Sequence, residues 1–207
     1  MAGAAMNNPY RNRFAPVALA IALALAGPIG CGGGNETPPL AGARIGGPFT
    51  LTDQDGKRVS DKDFAGKYRL VYFGYTFCPD ICPTDLQKLG QGMRALEKDD
   101  AAAAEKIQPI FISIDPARDT PAILKAYVPA FHPRLIGLTG TQAEIDAVAK
   151  EYAVFHAKVP TKDGNPNYLM NHSTQMVLFD PNGAPLALIP QDKSPAEMAA
   201  EMKRWVK

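Results

Sequence analysis

Val71 to Leu86 reads V-Y-F-G-Y-T-F-C-P-D-I-C-P-T-D-L, a β-branched and aromatic run that stops at two cysteines and gives way to a helical pattern. Val71, Tyr72, Phe73 and Tyr75 lack the polar alternation of a half-exposed strand, so they predict a central strand buried on both faces. From Thr84 the period changes. Leu86, Leu89, Met93 and Leu96 fall three or four apart and predict a helix with one face on a core. Cys78 and Cys82 lie between the two elements, just beyond the end of the strand. Pro83 suits the first helical turn and biases Cys82 towards a cap position. Unpaired N–H groups and the helix dipole would there favour thiolate at Cys82, making it a better nucleophile and a better metal ligand. The bland alternative is an inert buried pair or a disulfide that staples a turn. Two of only three cysteines at one strand–helix junction argue against it.

Working outward, Phe49-Thr-Leu51 and Lys57-Arg-Val59, joined by Asp53-Gln-Asp-Gly56, predict a hairpin leading into that strand. Downstream, Pro109 to Ile114 predicts a second buried strand. Asp119 or Thr120 is placed to cap a helix with Pro121 just inside it, and Ile123, Leu124, Tyr127, Val128 and Phe131 mark its buried face. A short strand over Leu135 to Leu138, a helix over Thr141 to Tyr152 and a strand over Val154 to Val159 follow. Pro160 to Asn171 predicts a polar surface loop. Gln175 to Phe179 and Pro185 to Ile189 then form a hairpin around Asp180-Pro-Asn-Gly183, and a helix from Ser194-Pro195 carries Met198, Met202, Trp205 and Val206 on one stripe. Strands alternating with helices predict an α/β domain with a parallel-rich sheet.

With 46% hydrophobic and 21% charged residues, the 207-residue chain suits one globular domain plus extensions. Lys and Arg number 22 against 21 Asp and Glu, which leaves no basic footprint for nucleic acid. Arg11 and Arg13 precede the apolar run Phe14 to Ala26, and Gly27-Pro28-Ile29-Gly30-Cys31 follows, the layout of an export signal. Cys31 after a small residue is similar to the lipidation site of a bacterial lipoprotein, although Pro28 stands where such sites carry an aliphatic residue. Lipoprotein, uncleaved anchor and cleaved signal all place the domain outside the cytoplasm. The expected organisation is an export signal or anchor over 1–31, a Gly/Pro-rich linker over 32–47 and a globular domain over 48–207.

Two thiolates alone perform redox exchange or hold half a metal site, so a third soft or borderline ligand decides between these roles. His132 precedes Pro133 at a helix end, where capping explains it. His156 falls on an edge-strand pattern and reads as surface. His172 differs, because it ends the polar loop at the start of a strand that should lie inside the sheet.

The blocks Y-F-G-Y-T-F-C-P-D-I-C-P, then I-S-I-D-P-A-R-D-T-P, then N-H-S-T before a strand ending D-P-N-G resemble the Sco/SenC family of copper-binding proteins, from about Gly47 to Lys207. The resemblance implies a thioredoxin-like α/β fold, with a central mixed β-sheet flanked by helices. It further implies one copper ion per chain, as Cu(I) or Cu(II), held by Cys78, Cys82 and His172. The implied function is delivery of copper for the binuclear copper centre of cytochrome c oxidase. The implied partners are the oxidase subunit that holds that centre, a copper donor and a thiol reductant, met by a domain tethered to the membrane on the periplasmic or other extracytoplasmic side of the cell envelope. Asn171 stands where the family commonly has Asp, which removes a neighbouring charge but no ligand. Asp115, Arg118 and Asp119 read as a capped turn with a local ion pair. Thiolates suit copper(I) and imidazole suits both oxidation states, whereas structural zinc would want a fourth protein ligand. The competing reading is a thiol–disulfide oxidoreductase using Cys78 and Cys82 as a redox-active disulfide, although its usual C-x-x-C spacing is one residue shorter. A peroxiredoxin-like peroxidase would need a proline-and-threonine pocket before Cys78 that this sequence lacks.

Overall fold

The computed structural model describes residues 36–159 and 168–207. The export or anchor segment and most of the 160–171 loop expected from the sequence lie outside these. No helix among the described residues is long and apolar enough to cross a membrane.

A seven-stranded mixed sheet organises the domain. In chain order its strands are β1 (Thr50–Asp53), β2 (Arg58–Ser60), β3 (Tyr68–Gly74), β4 (Ile107–Ser113), β5 (Ile136–Thr139), β8 (Met176–Phe179) and β9 (Pro185–Leu188). Across the sheet the order is β2-β1-β5-β4-β3-β8-β9. The β3–β4 and β4–β5 pairings are parallel, and the other four are antiparallel. The parallel-rich sheet expected from alternation is therefore corrected: terminal hairpins add antiparallel strands on both sides of a short parallel centre. All seven residues of β3 are buried, as its unbroken apolar run requires.

Helices α1 (Ile81–Asp99), α2 (Ala101–Lys106), α3 (Pro121–Tyr127), α4 (Gln142–Glu151) and α5 (Pro195–Trp205) flank the sheet, giving the thioredoxin-like α/β architecture. Along α1, Leu86, Leu89, Met93 and Leu96 are fully buried, and this helix packs along α5 through Met198 and Met202. Gly92 serves that packing, facing Met198 and Met202, whereas Gly90 lets the helix approach the Phe131 carbonyl, into which a Cβ there would run. Thr120 caps α3 with Pro121 in its first turn. Leu124 and Val128 are buried as expected, whereas Ile123 is 41% exposed. A helix of seven residues turns only one side to β5, too little to hide the whole predicted stripe.

The segment His156–Lys158 (β6) pairs with Met170–His172 (β7) as a separate two-stranded antiparallel ribbon. His172 thus ends a ribbon strand instead of opening the interior strand, which begins at Met176. In the expected linker, Leu40 N–H donates to the Leu186 carbonyl and Gly46 N–H to that of Glu151, so residues 40–46 lie on the domain.

Candidate metal centre

Strand β3 ends at Gly74, and six residues bring the chain to the first turn of α1. Gly74 is needed here, since a Cβ would meet Cys82 Sγ and Phe111 Cε2 at 3.0 Å and Tyr72 Cε1 at 3.1 Å. The helix starts at Ile81 with Asp80 as its N-cap, which puts Cys82 inside the first turn, its side chain fully buried. Cys78 is the residue that stands in front of the helix. Its sulfur accepts the Cys82 N–H at 3.4 Å, and the N–H groups of Asp80 and Ile81 also point to it.

This reverses the electrostatic roles expected from the sequence. Partial burial works against ionisation of Cys78, but the converging backbone donors outweigh it and hold the thiol below its ordinary value. Burial pushes the Cys82 thiol well up, and the adjacent Cys78 adds to the shift. Both cysteines are free thiols in this structure.

The third group arrives from β7. His172 Nε2 lies 3.2 Å from Cys82 Sγ, and its Nδ1–H donates to the Ser173 carbonyl at 2.8 Å. A carbonyl only accepts, so this bond places the ring proton on Nδ1 and leaves the Nε2 lone pair facing the sulfur. Burial holds the imidazolium below its ordinary value despite the opposing pull of the Ser173 carbonyl and Asp85, so the ring is neutral at pH 7. Tyr75 meets the ring edge-on at 5.8 Å between centroids. The donor atoms of Cys78, Cys82 and His172 all lie within 4.8 Å of one another. This is a soft, deprotonatable set with Cys78 and His172 only partly buried, suited to a thiophilic ion that must enter and leave.

The other histidines do not join it. His132 is buried, its Nδ1 accepts from the Arg134 N–H, and its Nε2 faces Glu97 at 3.2 Å. His156 sits directly across the ribbon from His172 but turns its Nε2 towards Asp146 at 3.3 Å. The expected surface position of His156 is thus corrected to a largely covered one, 13% exposed.

Several supporting residues escaped the sequence reading. Asp119 accepts from the Thr76 N–H at 3.0 Å and from the Thr76 and Ser113 hydroxyls at 2.5 Å each, which pins the cysteine loop to the end of β4. Tyr72 OH donates to Asp85 at 3.0 Å beneath the site. Gln191 Nε2 joins Asp85 at 3.2 Å and also donates to the Thr174 carbonyl. A local signal for Asp119 existed in the D-T-P cap pattern, but it pointed to the wrong partner.

The family model described as SCO1/SenC matches residues 37–207. A human mitochondrial protein described as an SCO1 homolog is 43% identical over 158 residues, 76% of this chain and 52% of that protein, so the chain spans about half that relative's length. Copper-bound ScoI of Bradyrhizobium japonicum superposes with a TM-score of 0.70 at 48% identity, covering 78% of this chain and 99% of that one. BsSco, described as having a disulfide switch and as a member of the Sco family of cytochrome c oxidase assembly proteins, superposes with a TM-score of 0.61 at 25% identity, covering 83% and 98%.

Proposed function

Because the chain belongs to the SCO1/SenC family, we propose that it carries one copper ion on Cys78, Cys82 and His172 and delivers it for assembly of the copper centre of cytochrome c oxidase. The observation that carries this reading is the convergence of two thiols and an imidazole whose Nε2 lone pair is already turned inward. Copper is the cargo, and the chain's residues divide the handling of it. Cys82 is the fully buried member of the site, and Cys78 and His172 are partly buried. Cys78, in front of the helix, is the ligand with which a thiolate of the donor or acceptor can exchange.

Membership also supports a membrane-associated location, organellar or outside the cytoplasm. The finer reading is that residues 1–31 export and tether the domain and 32–47 link it to the membrane, with lipidation at Cys31 as one form of the tether. Mass spectrometry of the mature N-terminus decides among the forms, and an uncleaved chain with free Cys31 makes the segment a plain anchor. The ligand assignment is tested by copper stoichiometry and absorption in His132→Ala, His156→Ala and His172→Ala. Only the last should lose binding, and unaltered copper uptake in His172→Ala overturns the assignment.

A second reading, thiol–disulfide exchange on the acceptor's ligand cysteines, is favoured by one observation. Cys78 is half-exposed and ionises more readily than an ordinary thiol.

A further inference from the structure

The middle sequence block sits beside the site, and its charged residues do more than close a turn. Arg118 Nε donates to Asp115 at 2.5 Å, and its Nη1 donates to the Tyr168 carbonyl at 2.9 Å. The Tyr168 hydroxyl donates to the other oxygen of the same Asp115 at 2.6 Å. The guanidinium carbon lies 3.6 Å from the Tyr168 ring centroid, 4.7 Å from that of Phe77 and 5.7 Å from that of Tyr75. Lys158 Nζ lies 3.6 Å from the Tyr168 ring centroid, so two cations grip one ring. Tyr168 is four residues before His172, and Phe77 is next to Cys78. Tyr75 accepts the Met170 N–H on its hydroxyl at 3.2 Å and packs its ring on His172.

The geometry points to Arg118 as a positioning residue for copper: one guanidinium ties the segment ending in His172 to the loop carrying Cys78. The inference rests on the copper reading above. The ligands come from two chain segments 90 residues apart, His172 and Cys82. Holding those segments together before the ion arrives removes an ordering cost that binding would otherwise carry. Arg118 touches no ligand atom, so its loss should weaken binding without changing the ligand set. Its planar fork spans a carboxylate, a carbonyl and ring faces at once, which an ammonium cannot reproduce.

The test uses the purified full chain, reduced, with copper(I) affinity measured by competition with a chromophoric chelator. Coordination is read by X-ray absorption. Arg118→Met should still bind one ion through two sulfurs and one imidazole nitrogen, but roughly ten- to a hundredfold more weakly, the range for disturbing a ligand's support. Arg118→Lys should recover only part of the loss. In a His172→Ala background, Arg118→Met should change the residual two-thiolate affinity little, because it acts through the histidine segment. Should Arg118→Met fail to fold, Tyr168→Leu removes the gripped ring and should show the same loss. Wild-type affinity in a folded Arg118→Met or Tyr168→Leu chain overturns the inference, as does an equal further loss in the His172→Ala background. Failure of the unaltered chain to take up copper overturns the ligand reading itself, a separate result.

Discussion

Gly74→Ala adds a single methyl group at the point where the sheet meets the metal centre. The new carbon would lie 3.0 Å from Cys82 Sγ, 3.0 Å from Phe111 Cε2 and 3.1 Å from Tyr72 Cε1. Carbon contacts are optimal at about 3.5–4.0 Å, so each is about half an ångström or more too close. All three neighbours are fully buried and belong to different elements, α1, β4 and β3, so no single side chain can move aside. Overpacking of this kind costs about 1–3 kcal/mol. For a domain of this size that lowers the melting temperature by about 2–12 °C. The sulfur is the least tethered of the three and should take part of the displacement, so copper affinity should fall roughly tenfold, the low end for disturbing a ligand's support. Gly92→Ala is the control. Its added carbon meets only side-chain atoms of Met198 and Met202, at 3.2–3.5 Å, and alanine is favoured over glycine inside a helix by about 1 kcal/mol. It should melt within a few degrees of the unaltered chain and bind copper equally. The assays are thermal melting without copper and chelator competition with it. A Gly74→Ala chain with unchanged melting and unchanged affinity would refute the reasoning.

Three further outcomes follow from the site and its surroundings. Iodoacetamide at neutral pH should modify Cys78 well before Cys82, because Cys78 is half-exposed with a lowered pKa while Cys82 is buried with a raised one; peptide mapping that finds Cys82 modified first contradicts this. Burial lowers the pKa values of His132 and His172 against their unfolded value of 6.5, so the unfolded chain binds more protons as pH falls below about 6.5 and the copper-free protein loses stability there. His132→Asn should flatten that fall in melting temperature between pH 6.5 and 5, and an unchanged slope would count against a buried neutral His132. Cys78→Ser and Cys82→Ser should each lose most copper binding and impair oxidase assembly alike, whereas a reductase would still form mixed disulfides in Cys82→Ser through the surviving attacking thiol.

The strand and helix around the cysteines were legible because two periods meet there. A β-branched and aromatic run with no polar alternation reads as a doubly buried strand, and Leu86, Leu89, Met93 and Leu96, three and four apart, read as one face of a helix. Which cysteine faces the helix terminus was not legible. It depends on α1 starting at Ile81, two residues before Pro83, and on Gly74 of β3, whose missing Cβ leaves room for the Cys82 sulfur. His172 was found for a partly mistaken reason. It was assigned to the start of a sheet strand, but a ribbon pairing with His156–Lys158 delivers it, and that pairing joins segments more than ten residues apart. Asp119 shows the same limit, since its cap-like context is local while its partner Thr76 is 43 residues away. Local patterns specify elements, and these misreadings all concern contacts between elements.

The inequality of the two cysteines also bears on whether the site carries or catalyses. In a reductase, the resolving thiol must become a thiolate once the mixed disulfide forms. Burial of Cys82, beside Cys78, works against that ionisation. Metal binding meets no such obstacle, because a cation replaces the proton on sulfur and supplies the positive charge that a buried thiolate lacks. The His172 ring needs no deprotonation, with Nδ1–H fixed on Ser173 and Nε2 free. On the carrier reading buried Cys82 holds the ion together with His172, while Cys78, whose ionisation the backbone donors around it favour, is the ligand that a partner's thiolate exchanges first. Burial that would slow a resolving cysteine is thus the property that retains cargo, and the lesser burial of Cys78 is the property that releases it.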